Sequence, residues 1–256
     1  MSHSLESLIR HLRQRRGRER RGLALAEGVR LVEEALACRV TLRAAAIAPA
    51  LEATPRGRAL ADALRASCER VELLTDRQLV ALAATDHPQG LIAVIEPPRW
   101  RLDQIRLEAG ARVLILDAVQ DPGNVGTMVR TAFALGAAGV VALPGTAELT
   151  NPKVLRSTMG GAFHLPALSL PTEECLAWLR DHGAAVWISA ADGGPIGAGP
   201  RDRPLALVVG NEGAGVGETF AAAADRRVAI RLRGGAESLN VAVAAGILLH
   251  EVTRER

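Results

Sequence analysis

The stretch RVLILDAVQDPGNVGTMVRTAFALG (112–136) decides the fold. Its opening, RVLILDA (112–118), is an apolar run of the kind found in strands buried on both faces of a parallel sheet. The turn Asp-Pro-Gly-Asn (121–124) then gives way to a helix expected over 123–136. This order leaves the helix N-terminus, with free N–H groups and partial positive charge, beside the carboxyl end of the strand. Asn124 and Gly126 lie at that opening, and Arg130 follows about one helical turn after Gly126. A plainer reading of the same segment has Asn124 capping the helix and Arg130 on the surface.

Downstream, strands are expected at 139–143, 186–190, 205–210 and 227–232, and helices at 152–160, 172–182 and 238–253. That alternation predicts an α/β unit whose mostly parallel sheet is covered on both faces. The Gly- and Pro-rich segment ADGGPIGAGPRDRP (191–204) is expected to be a mobile loop. Two further strand ends carry polar loops. In LVVGNEGAGVG (207–217), glycines at 210, 213, 215 and 217 surround Asn211 and Glu212, allowing positive φ and close approach to a ligand. The glycines do not follow G-x-G-x-x-G and no Gly-Lys-Ser/Thr follows, which disfavours a nucleotide-dependent oxidoreductase and a phosphate-binding P-loop. In IRLRGGAESLNVAVAAGILLHE (230–251), Ser238 and Asn240 sit where an apolar helix begins after a Gly-Gly turn. Capping by Ser238 is the simpler reading there.

Upstream, residues 1–98 form a separate unit. Strands are expected at 42–48, 70–73 and 91–96, and helices at 27–37, 56–68 and 75–84, the last capped by Thr75. Pro97-Pro98 ends this unit, and 99–110 reads as a linker to the second unit, 111–256. Residues 1–22 carry seven arginines against Glu6 and Glu19, a basic arm that suggests a polyanionic partner. The rival reading is a helix packed through Leu5, Leu8, Ile9 and Leu12 with its arginines in solvent.

At 256 residues and 48% hydrophobic, the chain can bury its core without disulfide or metal staples. The three cysteines (38, 68 and 175) form no CxxC, and the six histidines form no HxxxH pair, so no metal is expected. No G-x-S-x-G elbow is present. With no apolar signal core in residues 1–20 and no membrane-length apolar run, a cytoplasmic protein is expected. Six aromatics and no Tyr make base stacking a poor basis for nucleic-acid binding, leaving arginine contacts to phosphate, sugar and RNA shape.

Together the three loops resemble the motifs of the SpoU branch of the SPOUT methyltransferases. N-x-G-x-x-x-R is matched by Asn124, Gly126 and Arg130. G-N-E-G-x-G is matched by Gly210, Asn211, Glu212, Gly213 and Gly215, and S-L-N-V by Ser238, Leu239, Asn240 and Val241. NPKVLRSTMGGAFHLP (151–166) is similar to the family's intervening segment, and LAEGVRLVEEAL (25–36) to its N-terminal substrate-binding domain. The resemblance implies a C-terminal α/β domain with a trefoil knot, behind a small N-terminal α/β RNA-binding domain. It implies S-adenosylmethionine as methyl donor, a ribose 2′-O-methyl product in RNA, and a homodimer with its active site near the subunit interface. Arg130 takes the family's proton-acceptor role, helped by a substrate phosphate, although a guanidinium is a poor base. Asn124, Glu212, Ser238 and Asn240 would orient the ribose, Arg130 and the donor's methionine end. Gly210, Ile230, Leu232 and Leu239 would hold its adenine and ribose. The extra N-terminal domain favours large-subunit ribosomal RNA over transfer RNA. The alternatives are a transfer-RNA 2′-O-methyltransferase and a non-catalytic RNA-binding or assembly factor on the same fold.

Overall fold

Five consecutive apolar residues, Leu91–Ile95, need cover on both sides, and the first unit is built around them. The computed structural model describes residues 4–233 and 238–254. In chain order this unit contains α1 (Leu5–Leu12), α2 (Arg15–Arg21), β1 (Ala24–Glu27), α3 (Val29–Ala37), β2 (Leu42–Ile47), α4 (Pro49–Glu52), α5 (Pro55–Ser67), β3 (Val71–Leu73), α6 (Asp76–Leu82) and β4 (Leu91–Ile95). The sheet order is β1-β4-β2-β3, with β2 and β3 parallel and the other pairs antiparallel. Side-chain alternation sends Leu91, Ala93 and Ile95 to one face, against Leu31 and Val32 of α3 and Leu60 and Leu64 of α5. Ile92 and Val94 face Leu5, Ile9 and Leu12 of α1 and Leu79 and Leu82 of α6. Thr75 caps α6 in a capping box with Gln78, as its position predicts.

The basic arm is therefore folded. Leu5, Ile9 and Leu12 are fully buried, and Arg18 is buried too, donating to the carbonyls of Leu12 (2.9 Å) and Arg13 (2.8 Å). Those carbonyls lie at the end of α1, where a cation is favourable and the backbone lacks helical partners. Arg10 and Arg15 pair with Glu6 and Glu19 along the helix surface. Arg13, Arg16, Arg20 and Arg21 are exposed, with no ion pair among the described residues.

The second unit holds β5 (Arg112–Leu116), α7 (Pro122–Ala134), β6 (Gly139–Ala142), β7 (Ala167–Ser169), α9 (Thr172–Asp181), β8 (Ala185–Pro195), β9 (Leu205–Val209), α10 (Glu218–Ala223), β10 (Arg226–Ala229) and α11 (Val241–Thr253), while α8 (Pro152–Thr158), between β6 and β7 in sequence, belongs to the first unit. Its six strands run in the order β10-β8-β9-β5-β6-β7, and every pairing is parallel. Val113 and Ile115 of β5 pack with Cys175, Trp178 and Leu179 of α9 and with Phe220 of α10. On α9, burial pushes the Cys175 thiol up to about 12, which leaves it no thiolate chemistry near neutral pH. α11 lies against α7, β9 and β5.

Packing divides the chain differently from linear order. Residues 99–149 and 164–256 group together, whereas 150–163 join the first unit. Leu155 of α8 and the nearby Phe163 enter the core beneath α3 and α5, apolar burial that chain order cannot signal. A second difference concerns 191–204, the expected loop. β8 continues to Pro195, with Gly194 and Pro195 paired to Val228 and Ala229 after a register shift in β10. Gly193 makes that approach possible: a Cβ there would stand 2.6 Å from the Val228 backbone.

Replacing Arg18 by Ala should cost about 3 kcal/mol, since it removes two hydrogen bonds from a charged donor, each contributing roughly 1.5–3 kcal/mol. Arg16→Ala should be neutral. Urea unfolding of the two variants checks the contrast.

Candidate active site

Every strand of a parallel sheet points its carboxyl end the same way, and ligand sites of such sheets gather in the loops there. Here β5 leads into α7 and β9 into the glycine loop 210–217. Asp121 caps α7, its carboxylate accepting from the Asn124 backbone N–H at 2.9 Å. That settles the first ambiguity, because the Asn124 side chain is not needed as a cap. It instead donates from Nδ2 to Glu212 Oε1 (2.8 Å) and accepts at Oδ1 from Asn240 Nδ2 (3.0 Å).

Asn240 has two roles. α11 begins at Val241, later than the sequence pattern suggested, and its cap is Asn240 in place of Ser238. Asn240 Oδ1 accepts from the N–H groups of Ala242 (2.9 Å) and Val243 (3.3 Å), leaving the amide Nδ2 to reach Asn124. The Gly-Gly turn at 234–235 lies outside the described residues.

The glycine loop is closed by its own asparagine, a role that the motif alone does not reveal. Asn211 and Gly215 exchange backbone hydrogen bonds of 3.0 and 2.9 Å. The Asn211 side chain accepts from Gly213 and Ala214 and donates to the Ala118 carbonyl at 3.1 Å. Asp117, at the end of β5, accepts from Gly217 N–H at 2.7 Å. Asp117 and Asn211 are thus positioning residues, and their only sequence signal was a place within otherwise recognisable loops. Among the loop glycines only Gly215 uses a positive φ, +72°. Gly210 matters for closeness: a Cβ there would stand 2.1 Å from the Gly215 carbonyl oxygen.

Beside this relay opens a cleft of 510 Å³, within the roughly 300–1,000 Å³ typical of small-molecule sites. Gly210, Ile230, Leu232 and Leu239 all line it, together with Glu212 and Ser238. The far wall comes from Ser189, Ala190 and Ala191 of β8 and from Val228 and Ala229 of β10, residues with no motif to mark them. Asn124 and Asn240 reach the cleft through Glu212. Arg130 does not join it: the residue is exposed on α7, without a hydrogen-bond partner among the described residues. At about 100° per residue it points some 120° away from Asn124 around the helix.

The crowding at Gly210 predicts that Gly210→Ala opens the loop. A Cβ must displace the Gly215 backbone, so the Asn211–Gly215 pair should break. Hydrogen exchange at the Gly215 amide should rise at least tenfold while that of β9 holds.

Residues 111–250 match the SpoU rRNA Methylase family, and residues 8–93 match the MRM3-like substrate binding domain. The chain is 41% identical over 181 residues to the 23S rRNA (guanosine(2553)-2'-O)-methyltransferase RlmP of Bacillus subtilis (strain 168), covering 70% of this chain and 71% of that protein. It is 34% identical over 219 residues to the 23S rRNA (guanosine-2'-O-)-methyltransferase RlmB of Coxiella burnetii (strain RSA 493 / Nine Mile phase I), covering 78% and 83%. The crystal structure of the SpoU methyltransferase AviRb from Streptomyces viridochromogenes with AdoMet superposes with a TM-score of 0.86 at 28% identity, over 98% of this chain and 97% of that one. Intact motifs, the parallel-sheet fold and the matched N-terminal unit agree: the chain belongs to the SpoU rRNA methylase family, whose methyl donor is S-adenosylmethionine.

Proposed function

We propose that this protein methylates a ribose 2′-oxygen of large-subunit ribosomal RNA, working as a cytoplasmic homodimer with the C-terminal trefoil knot of its family. The observation that carries the reading is the hydrogen-bonded convergence of Asn124, Glu212 and Asn240 beside the cleft. The relatives named 23S rRNA 2'-O-methyltransferases support the choice of RNA.

The cleft fits the donor chemically. Ile230, Leu232 and Leu239 offer apolar surface to a flat base, while backbone groups around Gly210 supply hydrogen bonds. S-adenosylmethionine, when bound, supplies a methyl group on a positively charged sulfur that needs no further activation. What remains is alignment of the 2′-oxygen and loss of its proton. Asn124 fixes Glu212 by one oxygen, so the second carboxylate oxygen stands available to the cationic methionine end. Ser238 and the Asn240 cap orient the ribose. Arg130 stabilises the 2′-oxygen as negative charge develops there.

Arg130 is exposed and does not line the cleft of its own chain, so it serves the site of the second subunit. The apolar side chains Leu239, Val243 and Ile247, 38%, 52% and 39% exposed at four-residue spacing, together with Phe133 of α7, supply the contact surface. Tritiated donor, purified ribosomal RNA and mapping of 2′-O-methyl sites in cells with and without the protein test the activity. Donor binding without methyl transfer to any RNA would leave only an assembly role.

Arg130→Ala should lower transfer by about 10²–10⁴ with donor affinity unchanged. Mixing it with inactive Glu212→Ala should restore activity by re-forming one intact site per heterodimer. If the mixture stays inactive, Arg130 does not act across subunits.

Arg13, which follows α1, and the exposed Arg16, Arg20 and Arg21 of α2 are the RNA-attracting charges. Changing Arg13, Arg16, Arg20 and Arg21 to Gln spares Arg18 and the buried leucines, so it separates charge from packing. RNA affinity should fall and its salt dependence flatten, by about 0.7 in log–log slope for each lost phosphate contact. The rate at saturating RNA should hold. Filter binding from low to high salt measures both.

A further inference from the structure

We propose that Arg112 is a positioning residue for methyl transfer: it sets the axial register of α11, and through it the meeting of Asn240 with Asn124. This rests on the functional reading of the Asn124–Glu212–Asn240 relay above. Arg112 opens β5 and is buried, 6% exposed. It has no carboxylate partner among the described residues. Its guanidinium donates instead to backbone carbonyls: Nε to Val252 at 2.9 Å, and Nη1 to Gly110 at 2.8 Å and Ala111 at 3.1 Å. Burial and the neighbouring Arg201 charge lower its pKa, which marks a cation held at some cost. A leucine or methionine would fill the place without that cost, so the donors have a task that packing does not.

The task follows from where Val252 lies. It stands in the last turn of α11, among the carbonyls that lack helical partners and carry partial negative charge. The Gly199 N–H also reaches the Val252 carbonyl, at 3.4 Å. A Cβ at Gly199 would stand 2.8 Å from the guanidinium, so the glycine lets this loop lie directly on Arg112.

Between its ends α11 is held, among the described residues, by apolar contact alone. Val241, Ala242, Ala245, Leu248, Leu249 and Val252 are its buried residues. Such burial is non-directional, so the exact axial register falls to the directional hydrogen bonds. Among the described residues, the hydrogen bonds tying α11 to the rest of its unit sit at its two ends: Asn240 to Asn124, and Val252 to Arg112 and Gly199. β5 is their common frame. Arg112 opens it, and at its other end Asp117 and Ala118 hold the glycine loop that carries Glu212. A shift of about 1 Å along α11 would break the 3.0 Å bond between Asn240 and Asn124.

Arg112→Met, which keeps length and apolar bulk but removes the donors, tests this in the full-length protein. Exchange of the Ala242 and Val243 amides, about 15 Å along the helix from the mutated contact, should rise at least tenfold relative to Val209 at the far end of β9. Methyl transfer should slow by about 10²-fold in kcat, with KM for RNA little changed. Asn240→Ala should abolish the effect, so that the double variant is no slower than Asn240→Ala alone. A lowered Tm with unchanged exchange at Ala242 and Val243, or rate losses that multiply in the double variant, would overturn the proposal. If Arg112→Met does not fold, Gly199→Ala, whose Cβ would crowd the guanidinium off its carbonyls, gives the same readouts, and normal exchange and rate together with a lowered Tm would count against it. Absence of methyl transfer by the parent protein would sink the functional reading instead, while the exchange comparison still decides the role of Arg112.

Discussion

One side-chain amide holds the candidate site together. Asn124 gives a hydrogen to Glu212, 88 residues away in sequence, and takes one from Asn240, 116 residues away. An amide does both at one position, donating through nitrogen and accepting through oxygen. A carboxylate would repel Glu212 and an apolar side chain would leave both partners unmatched. The three loops are therefore mutually dependent, and the shape of the cleft depends on their agreement.

That agreement is possible because the frame beneath is stiff. Six parallel strands with Val113, Ile115, Ala206 and Val208 fully buried leave little freedom at the strand ends. The loops then need only short-range fixing, which Asp117, Asp121 and Asn211 supply through backbone N–H groups. Three asparagines share the work in different ways: Asn211 folds a loop on itself, Asn240 caps a helix, and Asn124 joins them through Glu212.

Arginine divides along similar lines. Arg18 and Arg112 are buried on helix-end carbonyls, each turning a surplus of backbone acceptors into an anchor. Arg13, Arg16, Arg20, Arg21 and Arg130 stand in solvent, where charge is available to a polyanion. Their chemical identity is the same, and burial separates the structural anchors from the charges left in solvent.

Much of this was legible in the residues themselves. The run at 112–118, the strand–helix alternation after it and the Thr75 cap follow from local patterns of apolar residues and turn formers, which act over a few residues. So do the three loops, whose motifs include Gly210 and Leu239 of the cleft lining, while Ile230 and Leu232 stand on the segment between them. What sequence could not decide depends on contacts between distant residues. Whether Asn124 was a cap or a bridge turned on Asp121 taking the cap. Whether Ser238 or Asn240 opened α11 turned on where the helix meets its neighbours. The packing of 150–163 with the first unit, the extension of β8 to Pro195 and the withdrawal of Arg18 from solvent have no local signature. Burial is a property of the assembled surfaces, and only the tertiary structure creates it.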